Sequence, residues 1–409
     1  MDIQLILAIV FISVMSVLLY FNRSKIQIQK ILGPFLYFVM LKTTWGLNLM
    51  DWLGKTFRRP FQWFGVASVI VGFGGMGLIA YQLIKSTILL FTNPGAAPGI
   101  QPVLPFAAKG VFFVPFAYWI ISIFVIAVIH EFSHGVLARA YNITVKSSGF
   151  AFLGALVPVI PAAFVEPDEE QMKKRSAWQQ LSVFAAGPGA NIFMAIAMIF
   201  LFGIQLPFLP AGLVEKTTVI DINELGTSLI TFSGLLINKI DAGSPAEQAG
   251  IRLGQTIVAV NGVQVGERDR ILETLTSLQA GQTTTISMSD GTEKMLVLGE
   301  HPTDKTRGYI GVGFDSQTVY DPVAIARYGD MGVAILYFLV SLTMWIFLLS
   351  LGIGLFNLVP LGPIDGGRML KLALEKLTGS DENGTLIWKG VSYAFLGMIL
   401  VNLVIGFVG

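Results

Sequence analysis

Two histidines and a glutamate stand close together in VIAVIHEFSHGVLARAY, residues 125–141. The pattern His130-Glu131-x-x-His134 predicts a helix with both imidazoles on one face, since positions i and i+4 are neighbours on a helix. Two such imidazoles bind zinc, and the glutamate beside them can serve as a general base. The preceding stretch, 111–129, has no charged residue. Because an ionised side chain in lipid costs about 2.5–3.5 kcal/mol, titratable groups at this place indicate a functional site.

A catalytic zinc site needs three protein ligands and one open position. One known extension of the motif supplies the third ligand as a histidine after a glycine, but Leu137 and Ala140 occupy those two positions. The chain has three histidines in all, and the last of them, His301, lies at the edge of a predicted soluble domain. A carboxylate is therefore the expected third ligand, and the candidates are Glu166, Asp168 and Asp365.

Asp365 lies in NLVPLGPIDGGRML, residues 357–370, at the end of a charge-free run that begins at Met331. Helix-breaking residues precede the aspartate: Pro360, Gly362 and Pro363. Irregular backbone at membrane depth is tolerated where it is buried in protein or lines a water-filled cavity, so Asp365 is the favoured ligand. Glu166 and Asp168 remain alternatives, although the FVEPDEEQMKK sequence around them is typical of a solvated acidic loop.

The composition indicates a polytopic α-helical membrane protein. Of 409 residues, 54% are hydrophobic and only 13% are charged, against about 25% charged in soluble domains. About six transmembrane helices are expected, at 3–21, 61–84, 111–136, 178–206, 331–359 and 387–408. The absence of cysteine excludes disulfides, cysteine metal ligands and thiol catalysis. The net charge of +1 gives no sign of a nucleic-acid partner. The expected partner is the lipid bilayer, because the composition is so apolar, and no nucleic acid is expected.

Three further apolar segments are not read as simple spans. Segment 31–50 carries Lys42 and has basic residues on both sides, so we expect an interfacial segment or a hairpin. Segment 150–167 is broken by glycine and proline, which predicts a re-entrant hairpin lining the site. GFGGMG, residues 72–77, lies inside an apolar span and has no acidic residue at the spacing of a dinucleotide fold, which favours close helix packing.

Residues 215–325 break the apolar pattern and predict one soluble α/β domain. GSPAEQAGIRLGQTIVAVNG, residues 243–262, has the layout of a PDZ domain. Either of two segments, 233–237 or 308–312, could form the strand edge that accepts a peptide. The candidate residues are Gly234, Leu235, Leu236, Ile310, Gly311 and Val312.

The positions of the basic loops predict the orientation. The N-terminus and the PDZ-like domain are expected on the outer face, and the zinc site toward the cytosol. The expected organisation is an N-terminal transmembrane region, a first catalytic part, the PDZ-like domain, a second catalytic part and a C-terminal transmembrane helix, at 1–110, 111–214, 215–325, 326–375 and 376–409.

The ordered motifs resemble those of the site-2 protease family of intramembrane zinc metalloproteases. They are HExxH, AAGPGAN at 185–191 and Asn357-x-x-Pro360-x-x-x-x-Asp365-Gly366, with the PDZ-like domain before the last. The resemblance implies one Zn²⁺ per chain, held by His130, His134 and Asp365, with Glu131 as catalytic base.

The same resemblance implies that Asn191 and Asn357 stabilise the substrate or the reaction intermediate, and that the substrates are transmembrane proteins. Gly362 stands where many members of the family have another proline. A non-catalytic membrane scaffold or chaperone with a PDZ domain is the alternative hypothesis, but metal binding alone would not require Glu131. A metal transporter would need further intramembrane carboxylates.

Overall fold

The computed structural model describes residues 3–32, 36–93, 95–155, 157–204, 218–264 and 268–408. Two compact units divide the chain. The membrane unit consists of Met1–Ile220 and Ser341–Gly409, and the β unit consists of Asp221–Val340.

The elements before the β unit are α1 (Ile3–Phe21), β1 (Ile26–Leu32), β2 (Leu36–Thr43), α2 (Leu47–Thr56), α3 (Arg58–Thr92), β3 (Val103–Leu104), β4 (Phe112–Phe113), α4 (Phe116–Ala140), β5 (Val145–Ala155), β6 (Val157–Pro167), α5 (Glu169–Lys173) and α6 (Ala177–Phe202). The next elements are α7 (Ile222–Leu229), β7 (Ile230–Ile240), α8 (Pro245–Gln248), β8 (Thr256–Val260), β9 (Val263–Gln264), α9 (Arg268–Ser277), β10 (Thr283–Met288), β11 (Glu293–Val297), β12 (Gly299–Glu300), β13 (Gly308–Tyr309) and β14 (Val312–Tyr320). The chain ends with α10 (Pro322–Phe356), α11 (Asp365–Thr378) and α12 (Asp381–Val408).

Six helices in the described part of the chain are long and apolar enough to cross a bilayer, namely α1, α3, α4, α6, α10 and α12. Each overlaps one of the six predicted spans. The chain is therefore an integral, multi-pass α-helical membrane protein, as the composition predicts.

Helix α3 packs closely against the segment that follows α10. A Cβ built on Gly72 would lie 2.8 Å from Met369 Cε, and one on Gly75 would lie 2.6 Å from Leu358 Cδ1. The other two glycines of GFGGMG have no neighbour within 4 Å. The prediction of close helix packing is confirmed for this one face of α3.

A four-stranded antiparallel sheet, ordered β1-β2-β5-β6, belongs to the membrane unit. Both segments that we expected to form hairpins contribute to it: 31–50 supplies the end of β1 and all of β2, and 150–167 supplies parts of β5 and β6. Positions 33–35 and 156 lie outside the described residues. Each segment thus lies within an antiparallel strand pair, β1–β2 or β5–β6, and a re-entrant path for 150–167 stays a prediction. Strand β6 is one of the two edge strands of the sheet.

The β unit is built on a sheet ordered β11-β10-β8-β7-β14, with β9 paired to β8. Apolar side chains from its strands and from α8 and α9 form a buried core. The β8–β9 hairpin turns at Asn261 and Gly262, which both have positive φ, as a tight hairpin turn requires. Positions 265–267 lie outside the described residues.

The two candidate peptide-binding segments differ in position. In β7, Leu235 pairs with Ser316 on one side and with Ile257 on the other. Leu236 is likewise paired on both sides, so the centre of β7, including the segment after Gly234, is internal to the sheet. Val312 begins β14, which is an edge strand. Peptide binding at either segment remains a prediction.

Backbone carbonyls next to Val312 are engaged within the β unit. Ile310 O accepts a hydrogen bond from Ala246 N at 3.0 Å, and Gly311 O accepts one from Asp241 N at 2.9 Å. These bonds tie the start of β14 to the turn and short helix of the PDZ-like sequence.

Candidate metal centre

Helix α4 directs both histidines of the motif into the protein. Its buried face includes Trp119, Ser122 and Ile126, which precede His130 and His134 at steps of three and four residues. These steps follow the helical period, so the histidines continue the same inward stripe. The side chains of His130 and His134 are 9% and 11% exposed.

A tight loop brings Asp365 to the histidines. Helix α10 ends at Phe356, and Gly366 N donates a hydrogen bond to Asn357 O at 2.8 Å, which closes the loop. A Cβ on Gly366 would lie 2.3 Å from Leu358 O. Only glycine fits this close approach of two backbone segments, so the Asp-Gly pair holds the loop closed and starts α11 at Asp365.

The three side chains form a triangle of ligand atoms. Asp365 Oδ2 lies 3.0 Å from His130 Nε2 and 3.4 Å from His134 Nε2, and the two Nε2 atoms are 3.2 Å apart. Zinc binds such atoms at about 2.0–2.2 Å in tetrahedral sites, which places neighbouring ligand atoms about 3.3 Å apart. The spacing of the three ligand atoms therefore fits one zinc ion.

Helix α6 contacts the far side of both imidazoles. Val183 O lies 2.7 Å from His134 Nδ1, and because a carbonyl only accepts, Nδ1 carries the proton and donates it. His134 Nε2 is then left with its lone pair toward Asp365. On His130, Nδ1 lies 3.1 Å from Asn191 Nδ2. A hydrogen bond on the second ring nitrogen fixes the orientation and tautomer of a metal-binding histidine.

Gly187, between those two positions on α6, lies directly against the ligand atoms. A Cβ built there would lie 2.4 Å from His134 Nε2 and 2.5 Å from His130 Nε2. Gly187 belongs to the AAGPGAN sequence at 185–191, and no role was predicted for it. A Gly-Pro pair inside a charge-free span was the available signal, since both residues weaken a helix.

Glu131 is held by the edge strand β6. Val165 N donates a hydrogen bond to Glu131 Oε2 at 3.1 Å. This N–H points away from β5, although Val165 pairs with Ser148 of that strand. Segment 150–167, which we expected to line the site, thus contacts Glu131, the residue expected to act as base. The contact uses a backbone N–H, which cannot be predicted from the residue type.

Glu166 and Asp168, the alternative candidates for the third ligand, interact with other side chains and backbone groups. Glu166 accepts hydrogen bonds from Lys42 Nζ at 2.6 and 2.9 Å, and Ser147 Oγ donates another to it. Asp168 accepts a hydrogen bond from Gln171 N at 3.0 Å and pairs with Lys146 at 3.1 Å. The Gln171 N–H, aided by Lys146, lowers the pKa of Asp168.

Among the described residues, the group of side chains that could hold a metal ion consists of His130, His134 and Asp365. His301, the remaining histidine, interacts with Thr303 of its own loop. Asn357, assigned to the substrate or intermediate by resemblance, has a half-buried side chain, and its backbone carbonyl closes the Asp365 loop.

A His-His-Asp centre with a neighbouring glutamate, in a polytopic membrane protein, is the arrangement of a membrane zinc metalloprotease. The model of peptidase family M50 matches residues 118–400, which is more than half of the chain. The chain belongs to peptidase family M50, and the predicted family and zinc-metalloprotease class are confirmed.

Several relatives are similar to parts of the chain. An uncharacterized protein of Methanocaldococcus jannaschii is 30% identical over 228 residues, which are 55% of this chain and 56% of that protein. The regulator of sigma-W protease RasP of Bacillus subtilis is 22% identical over 276 residues, 58% of this chain and 61% of RasP. Zinc metalloprotease Rip1 of Mycobacterium tuberculosis is 30% identical over 129 residues, 31% of this chain and 30% of Rip1. The chain thus spans less than two thirds of each of these three relatives.

Proposed function

We propose that this chain hydrolyses peptide bonds within or near the transmembrane segments of other membrane proteins, using one zinc ion held by His130, His134 and Asp365. The observation that carries the proposal is the triangle of ligand atoms, with sides of 3.0, 3.2 and 3.4 Å, beside the helix that bears Glu131. When bound there, zinc supplies polarisation of the scissile carbonyl and lowers the pKa of water.

Glu131 acts as the general base. It takes a proton from the attacking water as the new C–O bond forms, and then delivers that proton to the amine nitrogen as the C–N bond breaks, so no covalent enzyme intermediate is needed. The Val165 N–H at 3.1 Å supports this role, because it fixes the carboxylate through one oxygen. A non-catalytic scaffold would have no use for a base fixed beside a metal centre.

The outer edge of β6 is the proposed place for the substrate chain. A transmembrane helix keeps its carbonyl groups in its own hydrogen bonds, so it must be locally unwound before water can attack. Because β6 is an edge strand and the N–H of Val165 points outward to Glu131, an unwound segment paired to that edge would run beside the base.

The β unit is proposed to be a PDZ-like domain on the outer face that selects substrates. The β8–β9 hairpin at Asn261-Gly262 and the Ser244-capped helix α8 support that identity. The positive-inside distribution of Lys and Arg supports this orientation and, with it, a metal centre toward the cytosol.

The test is cleavage of a purified transmembrane substrate with helix-breaking residues in its span, by full-length protein in proteoliposomes. Glu131→Gln should keep its zinc and lose about 10²–10⁴-fold in rate, the usual contribution of a general base. Asp365→Ala should lose both zinc and cleavage, whereas Glu166→Gln should keep both. Cleavage by Glu131→Gln at the unmodified rate would contradict the proposal.

A further inference from the structure

Asn191 has an unusual position for a residue assigned to substrate. Its side chain is 0% exposed, and its amide nitrogen lies 3.1 Å from His130 Nδ1. The amide oxygen, Oδ1, has no hydrogen-bond partner in the described part of the structure. The amide therefore contacts Nδ1 of His130, the ring nitrogen that is not in the ligand triangle, and it is buried away from the surface.

Zinc binding at His130 decides which atom of the amide must face the ring. His130 Nε2 belongs to the ligand triangle, so in the metal-bound state the lone pair of Nε2 is used and the ring proton lies on Nδ1. A protonated Nδ1 is a donor and needs an acceptor. The amide can present Oδ1 in place of Nδ2 by a half-turn about the Cβ–Cγ bond, since the two groups are nearly equal in size.

We propose that Asn191 is a positioning residue for the metal centre: it accepts the Nδ1–H of His130 through Oδ1 and so fixes the ring for zinc. The inference deepens the proposed function, on which it rests for the identity of the metal. It assigns to Asn191 a contact with the histidine instead of a contact with substrate or intermediate.

The neighbouring histidine supports the assignment. His134 donates its Nδ1–H to Val183 O, a backbone carbonyl of the same helix α6 at 2.7 Å. Val183 and Asn191 are eight residues apart, so they lie on the same face of α6, two turns from each other. The two imidazoles then have equivalent acceptors, one from the backbone and one from a side chain.

Contacts from α10 hold Asn191 in place. Ser350 Oγ donates a hydrogen bond to Asn191 O at 2.8 Å, and a Cβ on Gly354 would lie 3.2 Å from Asn191 Cβ. These contacts fix the backbone and Cβ of Asn191, from which the amide reaches His130, and precise ligand geometry depends on supporting residues that are themselves locked.

The experiment measures zinc dissociation constants by chelator competition on the full-length protein in detergent. Asn191→Leu, which removes the acceptor at similar size, should weaken zinc binding about 10–100-fold, as loss of a partner of a metal-binding histidine does. Asn191→Asp keeps an acceptor and should stay within about threefold of the wild type or bind more tightly. Asn402→Leu, at another fully buried asparagine of the membrane unit, is the matched control and should leave the constant unchanged.

Cleavage at saturating zinc separates this role from substrate binding. A positioning residue predicts that excess zinc restores most of the kcat of Asn191→Leu, while a substrate contact predicts unchanged zinc affinity and a lasting loss of kcat/KM. The second result would overturn the inference. If Asn191→Leu does not fold, Asn191→Asp decides alone, because a carboxylate cannot donate: zinc binding weakened more than tenfold would show that the amide must donate to His130. Zinc affinity that depends on Asn191 in a protein that cleaves nothing would refute the proposed function and leave the inference standing.

Discussion

Gly187→Ala should empty the metal centre with the smallest possible change in the chain. The new Cβ would lie 2.4 Å from His134 Nε2 and 2.5 Å from His130 Nε2, below the 3.0 Å that real Cβ contacts respect. Both rings would have to retreat by about half an ångström, which is already the tolerance within which a functional constellation must be held. An ion bound to both nitrogens at about 2.0–2.1 Å would also stand within about 3 Å of the new methyl group.

The size of the effect follows from the energy of one ligand. Zinc binding to a four-ligand site is worth about 10–16 kcal/mol, or about 3 kcal/mol for each ligand if it is divided evenly. Loss of one ligand therefore weakens zinc binding about 100-fold or somewhat more, at about 1.4 kcal/mol for each factor of ten. The helix itself would gain, because alanine is about 1 kcal/mol better than glycine inside a helix. The intrinsic stability of helix α6 should thus rise while the affinity for zinc falls.

The assay is the zinc content of purified protein after dialysis against a chelator, with thermal unfolding of the same samples. Gly189→Ala is the matched control on the same helix, because its Cβ would lie 2.5 Å from Ser68 Oγ and touches no ligand. We expect Gly189→Ala to lower the unfolding temperature and keep zinc, and Gly187→Ala to lose zinc. Equal zinc content in the two variants would refute the reasoning.

Three further predictions test the surroundings of the site. Glu166→Gln should keep full zinc content by mass spectrometry but lower the unfolding temperature slightly, since Glu166 pairs with Lys42 and is not one of the proposed ligands; loss of zinc would refute this assignment. In the cysteine-free chain, an impermeant maleimide added to intact cells should label Asp290→Cys and spare Arg23→Cys, and the reverse pattern would overturn the proposed orientation. Deleting 225–320 should leave zinc content intact, because every ligand belongs to the membrane unit, and should alter which substrates are cut; zinc loss in a folded deletion variant would contradict this.

The three side chains of the candidate metal centre could be predicted from sequence because each depends on residue type and local spacing. His130 and His134 share a face through the helical period alone, and Asp365 follows residues that must break a helix. The choice of Asp365 over Glu166 needed an argument about depth in the membrane. The structure supports that choice for a reason the sequence lacks: Lys42, from a strand more than a hundred residues earlier, pairs with Glu166.

The supporting contacts could not be predicted, since they depend on backbone atoms or on absent side chains. Val165 contributes an N–H, Val183 contributes a carbonyl and Gly187 contributes the lack of a Cβ. None of these has a residue type that signals chemistry. The pairing of β7 on both sides is of the same kind, because the register of a sheet that forms from distant segments is a tertiary property.

The register between α4 and α6 is what joins these contacts into one site. His134 meets Val183, His130 meets Asn191, and Gly187 lies between them against both rings. Positions 183, 187 and 191 are spaced by one helical turn, as are 130 and 134. The two helices therefore run antiparallel, and one turn of α4 faces two turns of α6. A one-residue shift would turn α6 by about 100° and remove both acceptors and the glycine together. The spacing within the short GPxxN pattern therefore matters: Gly187 leaves room for the ligand atoms of both histidines, and Asn191, one turn later, contacts the ring of His130.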